Sequence, residues 1–152
     1  SSRQRERVEG YIAKGKQEGR LTTGGSRPSS QSRGWFVEPT VFADVDNNAV
    51  ISREEIFGPV LSVIPYSDER EAIAIANDSA YGLGGSVWSS DTERAASVAR
   101  KVRSGTVGVN HYVNEPVAPF GGIKESGMGR ELGPEGLDAF QVYKTIYLPP
   151  AQ

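Results

Sequence analysis

The sequence predicts an α/β fold: an open parallel sheet with flanking helices. Two observations carry this. From residue 59 to residue 110, strand-like and helix-like stretches alternate as β-α-β-α-β with short links, a pattern that argues for βαβ units with right-handed crossovers. Both helix-like stretches also open on a pair three residues apart, Asp68 with Glu71 and Ser90 with Glu93, which is the spacing of a capping box.

Residues 3–18, RQRERVEGYIAKGKQE, place Val8, Tyr11 and Ile12 at helical spacing. Arginine and lysine fill the other faces, so this is an amphipathic helix, weakened by Gly10 and Gly15. Residues 23–34 form a polar Gly/Ser/Pro loop. WFVEPTVFADV (35–45) is rich in aromatic and β-branched residues, and Pro39 splits it into two short extended pieces. PVLSVIPYS (59–67) reads as a strand and DEREAIAIAND (68–78) as a helix. LGGSVWS (83–89) is the next strand. After Ser90 and Glu93, the residues Ala95, Val98, Ala99 and Val102 recur with helical period, and Gly105 suits that helix's C-terminal end. TVGVN (106–110) closes the series. The parallel βαβ region is therefore expected over 58–110, with strands near 60–66, 83–88 and 106–110. The tail QVYKTIYLPP (141–150) carries large side chains on both faces of a strand over 141–148 that closes the domain's own sheet or joins another sheet edge, and Pro149–Pro150 stops further pairing.

Composition bounds the chemistry. In 152 residues, 37% are hydrophobic, 24% are charged and the formal charge is −2. Such a chain supports a real core and gives no basis for a nucleic-acid or membrane partner. The N-terminal SSRQRERVEG lacks the apolar segment of a secretory signal, and the expected location is cytoplasmic. The absence of cysteine excludes disulfides, thiolate metal sites and a cysteine nucleophile within these residues. The lone histidine, His111, excludes a multi-histidine zinc site and reads as a surface or hydrogen-bonded residue. No metal is expected.

In an open parallel sheet, ligands bind outside the carboxyl ends of the strands. The last strand of the series ends at Asn110, and a glycine-rich stretch, PFGGIKESGMGRELG (119–133), follows soon after. It is a poor phosphate cradle. Its closest match to a dinucleotide fingerprint, GMGREL, has leucine where the third glycine belongs, and no P-loop pattern occurs. Glycines at this density more simply shape an irregular loop against another surface. Lys124, Arg130 and Glu131 then pair with each other or face a partner segment.

EEIFGPV (54–60) followed by PFGGIKESGMGRELG resembles the aldehyde dehydrogenase superfamily. GYI followed two residues on by GKQEG (10–19), EPTVF (38–42), YGLGGSV (81–87), GTVGVN (105–110) and, within 136–144, Gly136, Leu137, Ala139, Phe140 and Lys144 agree in the same order, so the resemblance covers nearly the whole chain. It implies a longer enzyme with a Rossmann-type NAD or NADP domain, a catalytic domain and an oligomerisation arm. In that enzyme a cysteine thiolate attacks an aldehyde, hydride leaves the thiohemiacetal for the nicotinamide, and water releases the acid from a thioester. Residues 1–140 resemble the later part of the catalytic domain, and 141–152 the arm strand and tail. The nucleophilic cysteine, a second glutamate and the Rossmann half are expected in a missing N-terminal half, so the chain is expected to be a C-terminal piece, inactive alone. By the same resemblance, Glu55 accepts hydrogen bonds from the nicotinamide-ribose hydroxyls and Phe57 packs near the nicotinamide. Gln4 and Arg7 reach the cofactor ribose from a helix; Arg7 stands where many members have lysine. Phe120 lines the aldehyde pocket, Glu131 helps relay the proton lost during deacylation, and residues 111–118 help set substrate size. The terminal strand joins a neighbouring subunit in a homo-oligomer. The alternative is a stand-alone, non-catalytic assembly module.

Overall fold

Seventeen residues, Ser2–Glu18, form helix α1. Ser1 caps it, its Oγ accepting from the Gln4 N–H at 3.3 Å. The buried stripe is Val8, Ile12 and Gly15. A Cβ on Gly15 would stand 2.6 Å from Cε2 of Phe42. Gly15 is therefore the point where the helix backbone seats against the core, and Gly10, which meets nothing within 4 Å, is not. The computed structural model describes residues 1–113 and 115–151. Asn114, within the stretch expected to set substrate size, lies outside the described residues, as does Gln152.

The chain divides into two units, residues 1–75 and 76–152. In the first, strands β1 (Arg20–Thr23), β2 (Thr40–Ala43) and β3 (Val60–Ser62) form one sheet in that order. β1 runs antiparallel to β2, and β2 runs parallel to β3 with Thr40 opposite Val60 and Phe42 opposite Ser62. Alternation along β2 puts Thr40 and Phe42 inward. Phe42 and Val45 are fully buried and join Val8, Ile12, Ile51 and Ile56 in the core. Burying a side chain such as Phe42 stabilises by about 1.5–3 kcal/mol. Thr40, the buried polar residue of this unit, is satisfied: its hydroxyl donates to the Glu38 carbonyl at 2.8 Å and accepts from the Gly25 N–H at 2.9 Å. Helix α2, only Val50–Arg53, leads into the 54–60 segment.

Helix α3 spans Glu69–Asn77. Its cap is half the expected box. Asp68 Oδ1 accepts from the Glu71 N–H at 2.7 Å, but the Glu71 carboxylate returns to the N–H and hydroxyl of Ser67 and not to Asp68. In the second unit, β4 (Gly84–Val87) pairs in parallel with β5 (Thr106–Val109), and helix α4 (Thr92–Ala99) makes the crossover. The cap of α4 is Asp91, one residue beyond the expected Ser90. Its carboxylate accepts from the Arg94 N–H at 2.9 Å, and its own N–H is held by Ser89 Oγ at 3.1 Å. A 3-10 turn, Lys124–Ser126, and helix α5, Gly133–Asp138, complete the unit.

The class is α/β with parallel pairing and flanking helices, but three expectations need correction. The sheet is two small sheets among the described residues, because β3 pairs with β2 and β4 with β5. The strand expected over 59–67 is three residues long; the Val63 N–H still donates to the Phe42 carbonyl, and Pro65, which has no N–H, follows two residues on. Residues 141–148 take no strand in this chain. Val142, Tyr143, Ile146, Tyr147 and Leu148 stand exposed there, and among the described residues the segment joins neither sheet.

Candidate functional site

The first unit gathers four of the residues singled out from sequence. Residues 54–57 leave α2 as an irregular segment, and α1 lies beside it. Gln4 Nε2 donates to the Phe57 carbonyl at 2.6 Å. Arg7 Nη2 donates to the Glu55 carbonyl at 2.6 Å, and its Nε donates more weakly to the Ile56 carbonyl at 3.4 Å. Both side chains thus engage the main chain that carries Glu55 and Phe57. The Glu55 side chain itself is exposed and has no partner among the described residues. Phe57 is 72% exposed and sits at φ 56°, a left-handed conformation that an aromatic residue adopts only when its surroundings impose it. Ile56 between them is buried and anchors the segment in the core. Gly58 lets the turn close, since a Cβ there would collide with the methyls of Val8. An open hollow of ≈ 770 Å³ is lined by Ser1, Arg3, Gln4, Arg7 and Phe57.

The second unit pairs the other two. Phe120 and Glu131 form an isolated antiparallel bridge, each N–H donating to the other's carbonyl at 2.7 Å. The bridge closes the glycine-rich stretch into a loop. Lys124 Nζ donates to the carbonyls of Asn77 and Ser79 at 2.9 and 2.8 Å. Arg130 Nη1 donates to those of Gly122 and Gly129 at 2.9 and 2.6 Å. The Gly82 N–H donates to Ser126 Oγ at 2.9 Å. Gly127 and Gly129 have φ of 116° and 86°, conformations that L side chains rarely adopt. The loop therefore spends its cations on backbone carbonyls and its glycines on sharp turns, which leaves no phosphate cradle. Of the two arrangements expected for these charges, pairing with Glu131 does not occur: the Glu131 carboxylate is exposed and unpaired among the described residues.

Three contributors escaped the sequence reading. Tyr11 donates its hydroxyl to Glu54 Oε2 at 2.7 Å. The Glu18 carboxylate accepts from the N–H groups of Val50 and Ile51 at 3.0 and 3.2 Å. Asn110, at φ 53°, clasps Ser89 by two hydrogen bonds of 2.8 and 2.7 Å where β4 and β5 end. All three act on residues distant in sequence, so no local pattern announces them. His111 is exposed. No group of three or more metal-binding side chains occurs among the described residues, and no helix among them is long and apolar enough to cross a membrane.

A family model described as the aldehyde dehydrogenase family matches residues 1–146. Geranial dehydrogenase of Castellaniella defragrans is 60% identical over 148 residues, which are 97% of this chain and 31% of that protein. Betaine aldehyde dehydrogenase of Brucella ovis is 49% identical over 152 residues, again 97% of this chain and 31% of the relative. Among solved structures, an aldehyde dehydrogenase of Mycobacterium tuberculosis complexed with NAD+ is 55% identical with a TM-score of 0.95, covering 98% of this chain and 31% of its own. A mutant of aldehyde dehydrogenase C from Pseudomonas syringae, complexed with NAD+ and octanal, is 46% identical with a TM-score of 0.87, covering 91% of this chain and 29% of its own. The chain thus spans about a third of the length of these relatives.

Proposed function

This chain belongs to the aldehyde dehydrogenase family, and from that premise we propose that it is the C-terminal portion of an NAD(P)-dependent enzyme that oxidises an aldehyde to a carboxylic acid. The observation that carries the reading is the convergence of Gln4, Arg7, Glu55 and Phe57 in one cluster. The cluster's chemistry fits a nicotinamide nucleotide. An exposed carboxylate accepts from both hydroxyls of a ribose diol, and an exposed aromatic face beside it offers a flat apolar surface to a ring. When bound, the cofactor takes up hydride. What this chain contributes is position: Glu55 fixes the ribose, Phe57 limits the travel of the ring, and Gln4 and Arg7 hold the main chain of both.

The nucleophile comes from the remainder of the enzyme, since these 152 residues hold no cysteine. A thiolate there would add to the aldehyde as a thiohemiacetal, whose carbon would give up hydride to the nicotinamide and become a thioester that water then hydrolyses. Phe120 lines the aldehyde's approach, and Glu131 accepts or passes on a proton during hydrolysis. The exposed apolar residues of 142–148 support a further part of the reading, a homo-oligomer in which the tail pairs with a neighbouring subunit's sheet edge. A cytoplasmic location belongs to the same proposal.

The test is the full-length enzyme that carries this segment. Its upstream sequence should contain a nucleophilic cysteine and a glutamate that activates the deacylating water, and the purified protein should reduce NAD+ or NADP+ with an aldehyde. An open reading frame that begins near Ser1, or a full-length protein inert toward a broad aldehyde panel, would favour the stand-alone assembly module.

A further inference from the structure

We infer that one polar stripe of α1 — Gln4, Arg7, Tyr11 and Glu18 — is a rail that sets the position of residues 50–57, and that Tyr11 and Glu18 are positioning residues for the cofactor cluster. The inference rests on the functional reading above. At about 100° per residue, positions 4, 7, 11 and 18 fall within about 60° of one another on the helix. Each of them reaches the same target. Gln4 and Arg7 grip the carbonyls of Phe57 and Glu55. Tyr11 reaches the Glu54 carboxylate, and the Arg7 guanidinium also donates to the Tyr11 hydroxyl at 3.3 Å and lies 5.1 Å from its ring. Glu18 holds the first turn of α2, whose own cap position, Ala49, has no side-chain acceptor to offer.

The rail is distinct from the helix's packing stripe. Val8, Ile12 and Gly15 seat α1 in the core, and that burial does not require the polar contacts. Along 50–57 the polar residues hold backbone N–H and carbonyl groups at both ends and one carboxylate between, while Glu55 keeps its own carboxylate free. Main chain held and side chain released is the arrangement that pre-organises a ligand group. The left-handed Phe57 fits the same account, since its carbonyl is held by Gln4.

Two variants test this, Tyr11→Phe and Glu18→Gln. The first deletes a hydroxyl. The second replaces one acceptor oxygen by an NH2 group, so one of the two α2 N–H groups loses its partner. In the full-length enzyme, each is expected to weaken NADH binding, followed by its fluorescence, and to raise the KM for NAD+ by roughly two- to tenfold, the range a single hydrogen bond spans. The KM for the aldehyde and the melting temperature should stay put. A lower melting temperature with unaltered cofactor KM would make the rail merely structural and overturn the inference, and so would two variants identical to wild type. Hydrogen exchange in the 152-residue chain separates the two proposals. Faster exchange at residues 50–57 in both variants supports the rail whatever the enzyme does, and unchanged exchange refutes it. A wild-type enzyme inert toward aldehydes refutes the functional reading and leaves the exchange result to decide the rail.

Discussion

The Glu55 carbonyl is held by Arg7 at 2.6 Å, while its carboxylate is exposed and has no partner among the described residues. On the function proposed above, Glu55→Gln in the full-length enzyme would keep the size but turn one acceptor into a donor, and one ribose hydroxyl would lose its partner. A hydrogen bond to a charged group contributes about 1.5–3 kcal/mol, and hydride transfer should slow at least roughly tenfold. Unchanged single-turnover kinetics would reduce Glu55 to a solvated surface residue. Glu71 offers a check on local electrostatics. The Ser67 hydroxyl, and after it the Ser67 N–H, holds the Glu71 carboxyl below the usual 4.5. A carboxyl with a depressed folded value adds stability that is present above 4.5 and is lost as the pH falls through that lower value. Ser67→Ala should move the Glu71 titration back up toward 4.5, as read by carbon NMR of its carboxyl; an unmoved titration would discount the contact. Sequence alone made Glu55 and Phe57 legible, because a long motif names them. Tyr11 and Glu18 were not legible, since a tyrosine or a glutamate on a helix surface acquires a role only when folding brings residues 50–57 alongside.

At the scale of elements, the two glycines of α1 should respond in opposite directions. Gly10 faces open space, so Gly10→Ala should stabilise by about 0.4–1 kcal/mol through helix propensity and a less flexible unfolded chain. Gly15→Ala drives a methyl into the fully buried ring of Phe42 and should destabilise by about 1–3 kcal/mol. Denaturant melts of the two variants decide it, and equal shifts would mean that α1 does not seat on Phe42 as described. The sequence reading treated both glycines as weaknesses, because propensity cannot see the partner. The same limit explains the other misses. β1 has every residue exposed and so lacks the alternation that marks a strand. α2 is four residues long and is capped from α1, and neither fact leaves a local trace. Where cap, period and short links agree, as in the β4–α4–β5 unit, both strands and the start of α4 were readable to within a residue or two, but α4 ends at Ala99 with Arg100 as its C-cap, short of the periodic Val102 and of Gly105.

For the whole molecule, the 152-residue chain should show no aldehyde-dependent NADH formation, because it contains no thiol to form the covalent intermediate. Turnover above a protein-free control would overturn that, whichever aldehyde produced it. The tail should govern association. Val142, Tyr143, Ile146, Tyr147 and Leu148 present apolar surface in a segment that joins neither sheet among the described residues. Removing residues 141–152 should lower the apparent mass by light scattering, and an unaltered mass would move the contact elsewhere. The large side chains on both faces suggested a strand that closes the chain's own sheet or joins another edge, and among the described residues the segment joins neither sheet.

The loop closed by Phe120 and Glu131 has a consequence for proteases. Trypsin draws an extended lysine or arginine side chain into a deep pocket with a carboxylate at its base. Lys124 and Arg130 are the loop's basic residues, and both side chains are already turned inward onto carbonyls. A protease must break those contacts before it can engage either residue, whereas Arg33 and Lys144 stand exposed outside helices and strands. Early digestion, followed by mass spectrometry, should cut after Arg33 and Lys144 and spare the glycine-rich loop. The stretch with the most conformationally free residues in the chain should thus be among the last to be nicked.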